Sequence, residues 1–338
     1  MALEIKSDSY AVESNIHFPT DINLAWDSVR KLFDTIGKIL SQDSTVIGGW
    51  RKRKSLEKKA KKLYRTLANI HAKKGANYQT RLEEATTCLL ELYQRISERV
   101  NLSIAECVQS GLVKVAMLGK ELLKFQKYLN KFMDQLDRRI LQKEKIPHSE
   151  KIFSIFEPEV EWLQKGKQNN KVELGHNVLV TTDQYHFILD YKVMMHERDN
   201  SQPLALLERL KKNYKEGYKL SSISFDRGFY SKLSKEGLEK EFDAVIMPSK
   251  GKSTAKVKEE ESKKGFIRLL NKHSAVESNI NELEHSGVNT VPDKGVVGFK
   301  KYVAFGVLAY NVKRIGLLLM SDEKKKTKNA LSKLANMA

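Results

Sequence analysis

The stretch Ser222-Ile223-Ser224-Phe225-Asp226-Arg227-Gly228-Phe229-Tyr230-Ser231 decides how the chain is read. Apolar residues lead to one acid, then to Arg-Gly and an aromatic. A strand that ends in a sharp turn, with a carboxylate at its C-terminal edge, has this look. Gly228 permits a left-handed backbone or a close approach just after the acid. In open α/β sheets ligands gather beyond the carboxyl ends of the strands, so an Asp there is a natural metal ligand or general base. Asp-x-Gly is also ordinary turn chemistry, and both readings stay open at this point.

Working outward toward the N-terminus, Leu204, Leu207 and Leu210 mark a helix. Before it, two β-rich runs (172–182 and 186–193) flank Asp183-Gln184-Tyr185, which predicts an antiparallel hairpin. From Arg51 to about Lys145 the composition shifts to Leu, Lys, Glu and Ala at helical spacing. Leu56, Leu63, Leu67 and Ile70 mark one helix, and Leu82, Leu89, Leu92 and Ile96 a second. Val115 to Ile140 marks a third, the three making an all-α insertion. Ahead of it, residues 3–12 alternate weakly, as a half-buried strand does. Pro19 then stops regular structure. Thr20 or Asp21 can cap a helix whose core stripe is Leu24, Val29, Leu32, Phe33, Ile36 and Leu40.

Toward the C-terminus come a helix near Leu233–Leu238 and a short apolar run, 244–247, stopped by Pro248. Residues 249–264 are charged and read as a mobile loop, 265–284 as a helix, and the Lys-rich 321–338 as a disordered basic tail. The organisation predicted is a mixed α/β domain interrupted by helices: 1–50 and 147–320 form the core, 51–146 the insertion.

Bulk properties set the partner class. The 338 residues carry 60 Lys+Arg against 42 Asp+Glu, a net charge of +18. Such a balance favours a polyanion, of which nucleic acid is the commonest, and predicts salt-sensitive binding. The densest cationic segment is Arg51, Lys52, Arg53, Lys54, Lys58 and Lys61, extended by Lys59, Lys62 and Arg65. It is the candidate phosphate-contacting surface, although a solvated helix face has the same composition. Hydrophobic content of 41% is that of a soluble protein, with no apolar window of membrane-spanning length and no signal peptide. Cys88 and Cys107 have no CxxC partner or His cluster and read as reduced thiols, which suits a cytoplasm.

Several segments together resemble bacterial insertion-sequence transposases of the DDE type. The first is Asp8-Ser9-Tyr10-Ala11-Val12-Glu13-Ser14-Asn15-Ile16-His17-Phe18-Pro19-Thr20-Asp21. The middle block comprises Phe156-Glu157-Pro158-Glu159-Val160-Glu161-Trp162, then Lys165-Gly166-Lys167 and Glu173-Leu174-Gly175-His176-Asn177-Val178. Phe225-Asp226-Arg227-Gly228-Phe229-Tyr230-Ser231 matches the second catalytic motif, and His273-Ser274-Ala275-Val276-Glu277-Ser278-Asn279-Ile280 the helix bearing the third acid. Gly298-Phe299-Lys300-Lys301-Tyr302 and Leu308-Ala309-Tyr310-Asn311 close the pattern, which covers about residues 5–50 and 150–318.

The resemblance implies a ribonuclease H-like mixed sheet flanked by helices, in which Asp8, Asp226 and Glu277 converge on two Mg²⁺ ions, with Mn²⁺ as a substitute. It implies DNA nicking and strand transfer at insertion-element ends. The partners would be double-stranded DNA, as terminal inverted repeats and as target, with no membrane. A homodimer on DNA and a cytoplasmic, nucleoid-associated location are compatible with this. The chemistry agrees, since two carboxylate-held metals can activate the attacking oxygen and stabilise the leaving one. Arg227 and His273 join the candidate DNA contacts, Lys250 beside them, while His17 and His176 read as structural. The sequence departs from the family at Ser9-Tyr10, where relatives are Thr-rich. It also places only seven residues before Asp8, where relatives carry a helical DNA-binding region. The alternative expectation is therefore a truncated, catalytically impaired remnant that only binds DNA.

Overall fold

In the computed structural model the described backbone covers residues 2–164, 172–214, 217–251 and 255–335, so Lys165-Gly166-Lys167 lies outside it. The chain divides into two compact units. One comprises Met1–Asn15 with Glu159–Ala338, the other Ile16–Pro158.

The first unit is built on a mixed sheet. Its central strand, β1 (Ala2–Ser14), runs antiparallel to β3 (Glu173–Thr182), with Asp8 opposite Val180 and Tyr10 opposite Val178. Strand β3 shares its far edge between β2 (Glu161–Leu163) and β4 (Ile188–Val193). The turn between β3 and β4 is held as its sequence suggests: the Asp183 carboxylate accepts from the amides of Tyr185 and Phe187 at 2.8 and 2.9 Å. On the other side of β1 lies β5 (Lys219–Phe225), parallel to it and followed by parallel β6 (Ala244–Ile246). A short β7 (Thr290–Val291) joins β1 at Glu13 and Ser14. Gly175 is required here, because a Cβ on it would collide with the Val12 carbonyl oxygen.

The alternation of β1 sorts the core into two layers. Leu3 and Ile5 pack with Ile223 and Phe225 against α5 (Gln202–Tyr214) and α6 (Lys232–Leu238). Tyr10 and Val12 pack with Val178 and Val180 on the opposite face. There they meet α8 (Lys264–Leu283) through Val276, Ile280 and Leu283, and α9 (Gly295–Ala335) through Phe299, Val303, Val307 and Tyr310. Helices thus cover both faces of a mixed sheet, the α/β class that the sequence pattern predicts.

The second unit is a bundle of α1 (Asp21–Gln42), α2 (Arg53–Lys73), α3 (Tyr78–Gln109) and α4 (Val113–Leu136). Thr20 caps α1, its hydroxyl accepting from the Asn23 amide at 3.1 Å. By its contacts α1 belongs to this helical unit, Ile16–Pro158. The stripe Leu24, Val29, Leu32, Phe33, Ile36 and Ile39 of α1 is buried in one core with Leu67, Leu89, Leu122 and Leu129 of the other three helices. Polar contacts fix the packing: Trp50 Nε1 donates to Ser103 Oγ at 2.8 Å under the Arg99 guanidinium. Cys107 lies beneath Gly119, where any larger residue would collide with it.

Three further expectations are corrected. The charged stretch 249–264 contains a helix, α7 (Ala255–Ser262), since Lys and Glu are good helix formers. The tail continues α9 to Ala335 rather than ending at residue 320. Within that helix, Gly295–Lys324 is long and apolar enough to cross a membrane by length and composition, although only 17% of the window is buried.

Candidate functional site

The β1–β5 ladder ends at the pair Ser7 and Phe225, and one residue further on come Asp8 and Asp226. Parallel register thus sets these two acids side by side where the strands part, at the carboxyl end of β5. Asp8 is partly exposed and Asp226 exposed. Asp226 leads into a single helical turn, Arg227–Phe229, and accepts the Arg227 amide at 2.7 Å. Asp8 in the same way accepts the Ser9 amide at 2.7 Å. Phe225 and Phe229, both buried, clamp the turn from beneath.

Glu277 is carried by α8. Lys272 of that helix bonds Glu4 at 2.8 Å, and His273 bonds Ser224 Oγ at 3.0 Å. Further along, Ile280 and Leu283 share a core with Tyr10 and Val12. The helix therefore runs along β1 from Glu4 toward Val12, and Glu277 stands one turn beyond His273, beside the buried Val276 and itself exposed. Asp8 lies on the same sheet face, because its partner Val180 belongs to that core. The backbone thus sets Asp8 and Asp226 side by side, and Glu277 is carried by the helix that covers the same sheet face. Their side chains are not gathered: among the described residues no three His, Cys, Asp or Glu stand close enough together to hold a metal ion.

Beneath the acids is a buried polar layer. His273 is 6% exposed, and burial pulls its pKa down to about 4, opposed by Asp226 and reinforced by Lys6. Its place inside the helix–sheet interface takes it out of direct contact with a phosphate. Lys6 is also buried, its pKa lowered chiefly by burial, and its ammonium reaches the Asp183 carbonyl at 3.4 Å. Arg227 and Lys250 are exposed. Two residues near the acids carry no distinguishing signal in the sequence. Asp199 takes a 2.8 Å bond from Ser9 Oγ and lies 3.6 Å from where a Gly228 Cβ would be, yet in sequence it sits in an ordinary polar link. Lys6 is marked only as a cation in an apolar strand. His17 and His176 are structural: the first bonds Asp27 at 2.6 Å, the second Glu161 at 2.9 Å under Phe299.

In the helical unit, α2 buries Ala60 and Leu67, with Leu56, Leu63 and Ile70 partly buried beside them. Its opposite side carries Lys54, Lys58, Lys61, Lys62 and Arg65, all exposed, at the spacing of a single stripe. Arg51 and Lys52 precede it, also exposed. Arg53 does not belong to this stripe: it is partly buried, donates to the Phe33 carbonyl at 2.8 Å and packs on Gly37.

No protein-family model, no curated protein and no solved structure matches this chain.

Proposed function

We propose that the chain is a metal-dependent DNA-cutting and DNA-joining enzyme of the DDE transposase type, built on a ribonuclease H-like core. The observation that carries this reading is the adjacency of Asp8 and Asp226 where β1 and β5 part, with the Glu277-bearing helix laid along the same face. The strand arrangement supports it: β3 antiparallel to β1, then β5 and β6 parallel, with β4 beyond β3. Three carboxylates are hard oxygen donors of the kind Mg²⁺ prefers, so the donor set fits the ion chemically. Asp8, Asp226 and Glu277 would hold the metal, which when bound supplies Lewis-acid activation of the attacking oxygen and stabilisation of the leaving one.

The chain's own residues have distinct parts in this scheme. The paired strands fix the backbone of Asp8 and Asp226, and each carboxylate accepts the amide of the residue that follows it. His273 ties α8 to β5 and so sets the height of Glu277. The α2 stripe supplies sequence-independent phosphate contacts. The test is Mg²⁺-dependent nicking and strand transfer on DNA carrying the element's terminal repeats. Wild type should yield both products and Asp226→Asn neither, while both bind DNA equally. Equal cutting by the two proteins would remove the catalytic assignment.

A second reading, a chain that binds DNA without cutting it, is favoured by the ungathered acids. It predicts DNA binding in wild type with no nicking at any Mg²⁺ or Mn²⁺ concentration.

A further inference from the structure

Asp199 has no part in the scheme above, yet it stands where the strands bearing Asp8 and Asp226 part. It opens a single helical turn, Asp199–Ser201, that leads into α5. One oxygen of its carboxylate takes the Ser9 hydroxyl at 2.8 Å. The other faces the turn after Asp226, 3.6 Å from where a Gly228 Cβ would lie. Ser9 in turn gives its amide to Asp8 at 2.7 Å. One side chain thus touches both the residue after Asp8 and the turn after Asp226.

It does so from behind. Ser9 pairs with Leu179, which packs on the α5 side of the sheet, whereas Asp8 pairs with Val180 on the α8 side. Asp199 therefore meets β1 on the face opposite the one that α8 covers. The segment that carries it is firmly held. Gln202, fully buried, donates to the Glu197 carboxylate at 2.9 Å and to the Arg198 carbonyl at 3.3 Å, and Lys192 of β4 donates to Gln202 at 3.1 Å.

We propose that Asp199 is a positioning residue, which clamps the backbone after Asp8 to the turn after Asp226 and so sets the spacing of the two acids. Carboxylates that hold a metal are themselves supported by hydrogen-bonding partners, and losing such a partner costs about 10–100-fold in metal affinity. Here the support passes through Ser9, whose hydroxyl is held by Asp199 while its amide goes to Asp8. This role rests on the reading of Asp8 and Asp226 as metal ligands. It requires an acceptor oxygen at residue 199 but no charge.

The test is Mn²⁺ binding to the full chain, followed by isothermal titration. Asp199→Ala should weaken binding about tenfold, the low end of the range because the support is indirect. Asp199→Asn, which keeps the acceptor, should stay near wild type. Ser9→Ala should match Asp199→Ala, and the double variant should be no weaker than either, since both remove one bond. Tyr214→Phe forfeits a bond to the Leu189 carbonyl elsewhere in the same unit and should leave Mn²⁺ affinity unchanged. Should Asp199→Ala fail to fold, Ser9→Ala and Asp199→Asn carry the same comparison. Wild-type affinity in Asp199→Ala or Ser9→Ala would overturn the clamp alone and leave the metal site standing. So would additive losses in the double variant, an Asn variant as weak as the Ala, or an equal loss in Tyr214→Phe. A wild type that binds no Mn²⁺ would remove the metal site and the clamp with it.

Discussion

His273 offers the sharpest physical test of the helix–sheet junction. Its Nδ1 faces Ser224 Oγ at 3.0 Å, its Nε2 is buried with no hydrogen-bond partner among the described residues, and the ring is 6% exposed. Charging it there is costly, first because of burial and then because of Lys6, with Asp226 giving partial relief. The folded pKa of about 4 lies below the ordinary 6.5, so between these values the unfolded chain binds a proton that the folded chain does not. This stability is complete above about pH 6.5 and is lost as pH falls toward 4. At 1.36 kcal/mol per pH unit the full loss is about 3 kcal/mol. His273→Asn keeps a polar atom near Nδ1 but cannot titrate. Urea unfolding of both proteins from pH 7 to 4 should show wild type losing about 3 kcal/mol more than the variant. Imidazole proton shifts should also report a folded pKa well below 6.5. Equal pH slopes, or an imidazole that titrates normally in the folded protein, would refute the reasoning.

Two further outcomes follow from packing and charge. Gly175→Ala drives a methyl into the Val12 carbonyl and the Glu13 Cα, both backbone, so β1 and β3 must separate there. The expected cost is about 3 kcal/mol, at the upper end for overpacking, read by calorimetry; an unchanged melting temperature would contradict the register. Replacing Lys54, Lys58 and Lys61 with Ala should weaken DNA binding and reduce the slope of log affinity against log salt by about 0.9 for each phosphate that is no longer neutralised. Arg53→Ala should leave that slope unchanged and instead lower stability by about 1–2 kcal/mol, because the Phe33 carbonyl forfeits its guanidinium donor. The reverse pattern, with Arg53 controlling the slope, would reassign the cationic face.

Much of the sheet-bearing unit is legible in the sequence because its signals are local. Alternation marks β1, a polar turn marks the β3–β4 hairpin, and an acid followed by Arg-Gly marks the end of β5 at Phe225. What the sequence leaves open is where locally clear elements go. The stripe of α1 is as good a core face for the sheet as for the bundle, and only the packing with α2, α3 and α4 decides. Arg53 looks like its basic neighbours in sequence, and only the approach of Gly37 and the Phe33 carbonyl sets it apart. Residues 249–264 offer composition alone, which carries no information about whether Lys and Glu are spent on a loop or on a helix.

The candidate site divides in the same way. A short apolar-to-acid transition can be recognised within one segment, so Asp226 stands out unaided. Asp8 acquires meaning only through pairing: the register that sets Ser7 against Phe225 makes the two acids neighbours although the whole helical unit lies between them in sequence. Glu277 is a step further removed, since its height depends on the Lys272–Glu4 and His273–Ser224 contacts as well as on helical phase. These tethers anchor the helix just before the acid, while the apolar contacts of Val276, Ile280 and Leu283 hold it at and after. On the proposed reading, the double anchoring leaves adjustment toward a shared metal to the three carboxyl side chains rather than to the helix. If the helix rather than the side chains had to move, His273→Asn would alter metal affinity as strongly as Glu277→Gln. The double anchoring predicts instead that Mn²⁺ binding, followed by isothermal titration, is abolished by the second substitution and only weakened by the first.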